Sequence, residues 1–216
     1  MNSAPPVPPG AAVTLFGSAI GLAERFAALL ATHGVERGLI GPREVPRLWE
    51  RHLLNCGVLA ELVPDDAEVV DIGSGAGLPG LVIAILRPQV RMTLLEPMLR
   101  RTVFLGECVT ELGLGNVTVC RGRAEDMAGV IRADVAMSRA VAPLGRLAEL
   151  SAGLVRPGGT ILAVKGDQAQ AELDGARTVL RRLGVRSAEV LKAGQGIVEP
   201  PATVVRILAA GQARRR

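Results

Sequence analysis

The run Val69-Val70-Asp71-Ile72-Gly73-Ser74-Gly75-Ala76-Gly77-Leu78-Pro79-Gly80 holds the residues best suited to chemistry. An apolar strand leads into glycines at alternate positions, and a helical pattern follows. Glycine accepts positive φ and lets a ligand approach the backbone closely. The first N–H groups of the helix are free to meet that ligand. Two ligand classes use such a turn. Gly75-Ala76-Gly77-Leu78-Pro79-Gly80 spells the G-x-G-x-x-G of a dinucleotide site, where a pyrophosphate rests on the helix N-terminus. Alone that match is weak. Asp71, two residues before Gly73, favours the other class, in which Gly73, Gly75 and Gly77 follow an acid. S-adenosylmethionine carries an amino acid instead of a pyrophosphate, and an acid there can hold its ammonium directly or through water. The same acid disfavours a nicotinamide enzyme. The bland alternative is a tight turn with no ligand.

Three further segments follow strand-like runs. Glu96 closes the second, 25 residues after Asp71, where a carboxylate can accept from both ribose hydroxyls. Arg121-Gly122-Arg123-Ala124-Glu125-Asp126 follows the third. In methyltransferases this loop holds the adenine, and Ala124 and Glu125 offer a backbone N–H and a side-chain acceptor; acids there are also ordinary helix capping. Ser138-Arg139-Ala140 closes the fourth, where a substrate usually sits. The Asn/Asp-Pro-Pro-aromatic motif of exocyclic-amine methylation is absent, and so is the Pro-Cys or Thr-Cys nucleophile of cytosine C5 methylation. An acceptor needing neither covalent nor strong base catalysis fits better. Guanine N7 is one: its lone pair carries no proton, so catalysis reduces to placement.

These segments need a scaffold that brings strand ends together. From residue 67 the chain alternates strand and helix: strands over 68–72, 91–96, 116–120, 133–138 and 160–165, with helices over 78–86, 99–112, 144–154 and 168–183. Strands over 187–191 and 203–208 complete a seven-stranded set. Such alternation predicts an α/β fold, a doubly wound and mostly parallel sheet whose ligands lie beyond the carboxyl ends of the strands. Residues 12–66 carry apolar residues at helical spacing, with a second stripe starting after Pro46, and predict a helical cap. The expected division is a disordered Pro-rich lead over 1–11, the cap over 12–66, a ligand-binding domain over 67–210 and a basic tail over 211–216.

Apolar residues make up 49% of the 216, enough for a core without metal or partner. Aromatics are only 2%, which argues against reading single-stranded bases by aromatic stacking. The net charge of +4 is carried almost wholly by arginine, since Lys165 and Lys192 are the only lysines; guanidinium groups suit phosphate. Cys56, Cys108 and Cys120 show no paired spacing and read as free thiols of a reducing compartment. With only His33 and His52 as histidines, no metal site is expected. The N-terminus lacks the basic and apolar regions of a signal peptide, and the most apolar stretch, 11–30, is interrupted by Glu24 and Arg25. The reading is a cytoplasmic monomer with no membrane association.

The chain resembles the bacterial 16S rRNA guanine-N7 methyltransferases, the glucose-inhibited division protein B family. The likeness covers roughly residues 45–170. It rests on Arg51-His52-Leu53-Leu54-Asn55, on the glycine turn with its Gly-Leu-Pro-Gly ending, and on Arg100-Arg101-Thr102-Val103-Phe104-Leu105. Arg121-Gly122-Arg123-Ala124-Glu125, Ser138-Arg139-Ala140 and Val164-Lys165-Gly166 extend it. The resemblance implies a class I (Rossmann-like) fold and S-adenosylmethionine contacts at Gly73, Leu78, Ala124, Glu125 and Arg139. It implies a guanine substrate in the decoding-region loop of 16S rRNA or the small ribosomal subunit. Arg139 and Lys165 then become the candidate catalytic pair, and Arg51, His52, Asn55, Arg100, Arg101, Arg123 and Lys165 the RNA-facing set. Two segments depart from the family pattern: Gly38-Leu39-Ile40 stands where many members have Asn-Leu-Thr, and Glu199-Pro200-Pro201-Ala202 where many have a basic residue. Two other readings stay open: a methyltransferase acting on a small molecule or protein, and a non-catalytic cofactor- or RNA-binding module on the same fold.

Overall fold

The structure, a computed structural model, describes residues 6–211. Residues 1–5 of the expected lead, and all of the expected tail except Gly211, lie outside them. Seven strands form one sheet in the order β3-β2-β1-β4-β5-β7-β6. They are β1 (Glu68–Ile72), β2 (Arg91–Glu96), β3 (Val117–Arg121), β4 (Ala133–Arg139), β5 (Val155–Lys165), β6 (Ser187–Ala193) and β7 (Ala202–Leu208). Pairing is parallel from β3 across to β5, and β7 runs antiparallel to both β5 and β6. The eight residues between β6 and β7 are too few for a parallel crossover. This is the class I arrangement, with β1 beside β4 where the strand order reverses.

Side chains of β1 alternate between two cores, as a strand's period of two dictates. Val69 joins one core, with α4 (Gly80–Leu86), α5 (Leu99–Leu112) and the N-terminal cap. Val70 and Ile72 join the other, beneath α6 (Leu144–Ala152) and α7 (Ala169–Arg182). Both faces of the sheet are therefore covered. α5 ends at Gly113 in the left-handed region, the helix stop its position predicts.

The cap opens with α1 (Gly10–Phe16) and α2 (Ile20–Leu29), joined by a tight turn and continued to Gly34. By length and composition this run, Gly10–Gly34, is apolar enough to cross a membrane. Here its Phe16, Phe26 and Leu30 are buried in the first core. A second helical run follows from Pro42 through Leu62 and includes α3 (Asn55–Gly57). It starts before Pro46, not after it, because proline's fixed φ is compatible with the tight turn Pro42–Arg47.

Two other expectations need correction. Residues 6–11 are not a loose lead: the buried Trp49 indole N–H needs an acceptor and donates to the Pro6 carbonyl at 2.7 Å, and α1 begins at Gly10. β5 starts at Val155, not at residue 160, because Val155 pairs with Ala133 before a bulge that absorbs the Pro157-Gly158-Gly159 segment.

Candidate active site

β1 delivers Asp71 to the glycine turn. Gly73, Gly75 and Gly77 all have positive φ, between 57° and 88°. At Gly77 a side chain is also blocked by packing, since a Cβ would lie 2.4 Å from Leu81 Cδ1. At Gly75 a Cβ would meet nothing nearer than the Gly73 carbonyl at 3.7 Å, so that part of the turn has a bare face. The Asp71 carboxylate is fully buried beneath it. Oδ2 accepts from the Gly80 N–H at 3.0 Å, while Oδ1 has no hydrogen-bond partner. Burial pushes the Asp71 carboxyl up to about 7, against the lowering pull of the Gly80 N–H. Asp71 lines neither of the cavities described below. The acid supports the turn from below through Oδ2, which the start of α4 engages, and Oδ1 is left without a hydrogen-bond partner.

β2 delivers Glu96, also buried. Its Oε2 accepts from the Gly75 N–H and its Oε1 from the Met98 N–H, each at 3.0 Å, with Arg101 3.6 Å away. Glu96 lies in the wall of a cavity of about 300 Å³ with Gly73, Gly122, Arg123, Ala124 and Glu125. The glycine turn, the second-strand acid and the third-strand loop therefore share one cavity. Among the described residues the N–H groups of Ala124 and Glu125 donate to nothing. A nucleoside fits this donor set: a carboxylate with lone pairs to spare for hydroxyls, and unengaged N–H groups for ring nitrogens.

β4 ends in Ser138-Arg139-Ala140. Ala140 has φ 55°, in the region glycine prefers, at a cost on the order of 1 kcal/mol. The next residue, Val141, sits over the glycine turn, so a Cβ at Gly73 would meet its Cγ2 at 2.9 Å. Arg139 lines a second, larger cavity of about 550 Å³ together with Arg51, Asn55, Lys165, Asp167 and Glu199. Ala140 and Val141 line the smaller one. The fourth strand end therefore contributes consecutive residues to two cavities, Arg139 to the larger and Ala140 and Val141 to the smaller.

Arg139 reaches back into the cap. One terminal nitrogen donates to Nδ1 of His52 at 3.0 Å and the other to the Arg51 carbonyl at 3.4 Å. Nε2 of His52 lies 3.0 Å from Oε2 of Glu44. Glu44 also accepts from Arg51 at 3.1 Å and 3.2 Å. Burial, then the Arg139 charge, hold the His52 imidazole below its ordinary value. The hydrogen bond from His52 lowers Glu44. Cys56 is buried, and burial raises its thiol to about 11.

A sequence model of the family described as rRNA small subunit methyltransferase G (GidB) matches residues 19–199. The chain belongs to this family. Relatives called ribosomal RNA small subunit methyltransferase G are 58% identical in Thermobifida fusca, over 93% of this chain and 85% of that protein, and 56% identical in Streptomyces avermitilis, over 94% and 85%. Among solved structures, a precorrin-6y C5,15-methyltransferase of Geobacter metallireducens superposes with a TM-score of 0.54 at 17% identity, over 80% of this chain and 91% of that one. An S-adenosylmethionine-dependent O-methyltransferase of Thermotoga maritima gives 0.56 at 15%, over 75% and 66%. These distant likenesses concern the fold.

In this member of the methyltransferase G family the remaining expected residues divide. Leu78 is buried in the turn. Glu125 pairs with Arg146. Lys165 lines the larger cavity, but its ammonium binds Glu172 at 2.7 Å and the Ala142 carbonyl at 2.9 Å. Glu172 also accepts from the Leu144 N–H at 3.1 Å. Lys165 thus anchors the loop after β4 from the wall of that cavity. His52, 14% exposed, is likewise turned towards Arg139 rather than solvent. Arg51 and Arg101 are engaged by Glu44 and Glu96. Arg100 and Arg123 are exposed and, among the described residues, in no ion pair. Among those residues no cluster of His, Cys, Asp and Glu could hold a metal. Sequence reasoning missed Glu44, Glu172 and Val141. Glu44 had a signal: it precedes Arg51 and His52 by seven and eight residues, two helical turns.

Proposed function

We propose that the protein transfers the methyl group of S-adenosylmethionine to N7 of a guanine in 16S rRNA, in the decoding-region loop of the small subunit. The observation that carries this reading is the end of β4, where Arg139 lines the larger cavity and the next two residues, Ala140 and Val141, line the smaller one. When bound, S-adenosylmethionine supplies an electrophilic methyl group on a sulfonium centre. Glu96, Gly73 and the Ala124-Glu125 backbone would hold it in the smaller cavity. The larger cavity takes the base. Guanine N7 needs no proton removed, so the chain's own part is binding and orientation. Arg139 provides donors and a positive charge for the base or its phosphate. Glu50, Asp167 and Glu199 in the same wall provide acceptors for the N1–H and amine of guanine. Arg100 and Arg123 meet backbone phosphates. A ribosomal substrate implies a cytoplasmic reaction, and the chain is read as acting as a monomer.

The test is methyl transfer from labelled S-adenosylmethionine to small subunits, or 16S rRNA, lacking the modification. Label recovered as 7-methylguanosine is the expected result; label in another nucleotide, or none, rejects the acceptor. Arg139→Ala is expected to lose about a hundredfold or more of the rate while staying folded by circular dichroism.

A further inference from the structure

We propose that Glu44 and His52 are positioning residues for Arg139, forming a hydrogen-bonded chain that ties the strand-end guanidinium to the helical cap and aims its remaining N–H groups into the larger cavity. This rests on the reading of Arg139 as the group that meets the substrate.

Hydrogen-bond chemistry fixes the protons. Arginine has donors and no acceptor. Its 3.0 Å contact with Nδ1 of His52 therefore requires Nδ1 to be the bare, accepting nitrogen. The ring proton then resides on Nε2, which faces Oε2 of Glu44 at 3.0 Å. A single state, the neutral Nε2–H tautomer, satisfies both contacts. Imidazolium would set two donors against each other at Nδ1.

The arrangement has an electrostatic consequence. A carboxylate bonded directly to Arg139 would cancel its charge. An imidazole holds the guanidinium in place without a countercharge, while Glu44 sits one ring further away and is shared with Arg51. Glu44, Arg51 and Arg139 together sum to one positive charge, which faces the carboxylates of Glu50, Asp167 and Glu199 around the same cavity. Two of the five guanidinium N–H groups are used, on His52 and on the Arg51 carbonyl, which leaves three to meet a base or phosphate. Burial of His52 favours the neutral ring; Arg51 acts on both His52 and Glu44, Arg47 acts on Glu44, and the charge of Arg139 is also felt by the buried Asp71 and Cys56.

His33 and His52 are the only histidines, so imidazole nitrogen NMR reads the chain directly. His33→Gln, a change at a half-exposed residue remote from the site, assigns the signals. The expected spectrum at pH 7 shows His52 as the neutral Nε2–H tautomer. In Arg139→Met its titration midpoint rises towards the ordinary value; in Glu44→Ala the tautomer preference weakens. Glu44→Ala and His52→Leu are expected to lower kcat by about tenfold or more, with KM for S-adenosylmethionine near wild type, and Glu44→Gln and His52→Asn to recover much of that loss. An imidazolium or Nδ1–H form of His52 at pH 7 overturns the proposal, as does a folded His52→Leu variant with wild-type kcat. If the wild-type protein does not methylate 16S rRNA, the functional reading fails, and the spectrum still decides the chain.

Discussion

The Glu96 carboxylate accepts a hydrogen bond from the Gly75 N–H at 3.0 Å, so the acid that ends β2 holds the glycine turn that β1 launches. Its second oxygen takes the Met98 N–H. One side chain thus fixes the turn, the start of α5 and a wall of the smaller cavity. Glu96→Gln sets an amide donor against one of those N–H groups. A loss of about 1–3 kcal/mol is expected in chemical denaturation, with weaker S-adenosylmethionine binding by calorimetry. Unchanged stability would show that the backbone holds the turn unaided.

Asp71 makes stability depend on pH in an unusual direction. Its ordinary value is 3.8 and its folded one about 7. The folded state holds this proton more tightly than the unfolded state does. Its stabilising contribution is therefore complete below pH 3.8 and lost as pH rises through 7, a change on the order of 4 kcal/mol. Asp71→Asn keeps an oxygen for the Gly80 N–H and cannot ionise. The difference in unfolding free energy between variant and wild type should move in the variant's favour from pH 4 to pH 8. A constant difference would place the Asp71 titration near its ordinary value.

Lys165 and Glu172 act as one unit through the loop after β4. Lys165 is 10% exposed and Glu172 32%, so breaking the pair should cost less than in a sealed core, about 2 kcal/mol for Lys165→Met. The double variant Lys165→Met with Glu172→Gln, which removes the unpaired charge and keeps an acceptor for the Leu144 N–H, should cost no more than the single. Denaturation midpoints test this. A raised KM for rRNA with unchanged stability would instead make Lys165 a substrate contact.

Arg123 stands exposed in the wall of the smaller cavity, and Arg100 is exposed in the first turn of α5. Each, changed to Ala, should reduce the dependence of log affinity on log salt by ~0.7 on single-stranded and ~0.9 on duplex RNA. Arg51→Ala should reduce it less, because Glu44 already engages that guanidinium. Filter binding over a salt series measures the slopes. An unaltered slope removes the residue from the phosphate path.

Much of the fold was legible because it is local. The period of two in β1, the glycines at 73, 75 and 77, and Gly113 at the end of α5 are dictated by dihedral preference and side-chain alternation within a few residues. Gly73, Glu96, Ala124 and Arg139 were legible as candidates because a parallel sheet gathers strand ends at one edge, whatever packs around them.

The sequence by itself determined the strand and helix pattern, the turn that suits a nucleoside ligand, and the edge where chemistry belongs. Tertiary structure decided what each polar side chain is committed to. Arg139 and His52 are 87 residues apart, and Glu68 and Asp134 are 66 apart, yet both pairs are in hydrogen-bond contact. Lys165 has an ammonium suited to phosphate, but packing of α7 brings Glu172 to it first. Asp71 has the right spacing for a ligand contact, and packing of α4 commits one of its oxygens, Oδ2, to the Gly80 N–H. The physical reason is the same in each case: a polar group's partner is set by desolvation and by which surfaces the sheet brings together, and neither quantity is encoded in its near neighbours along the chain.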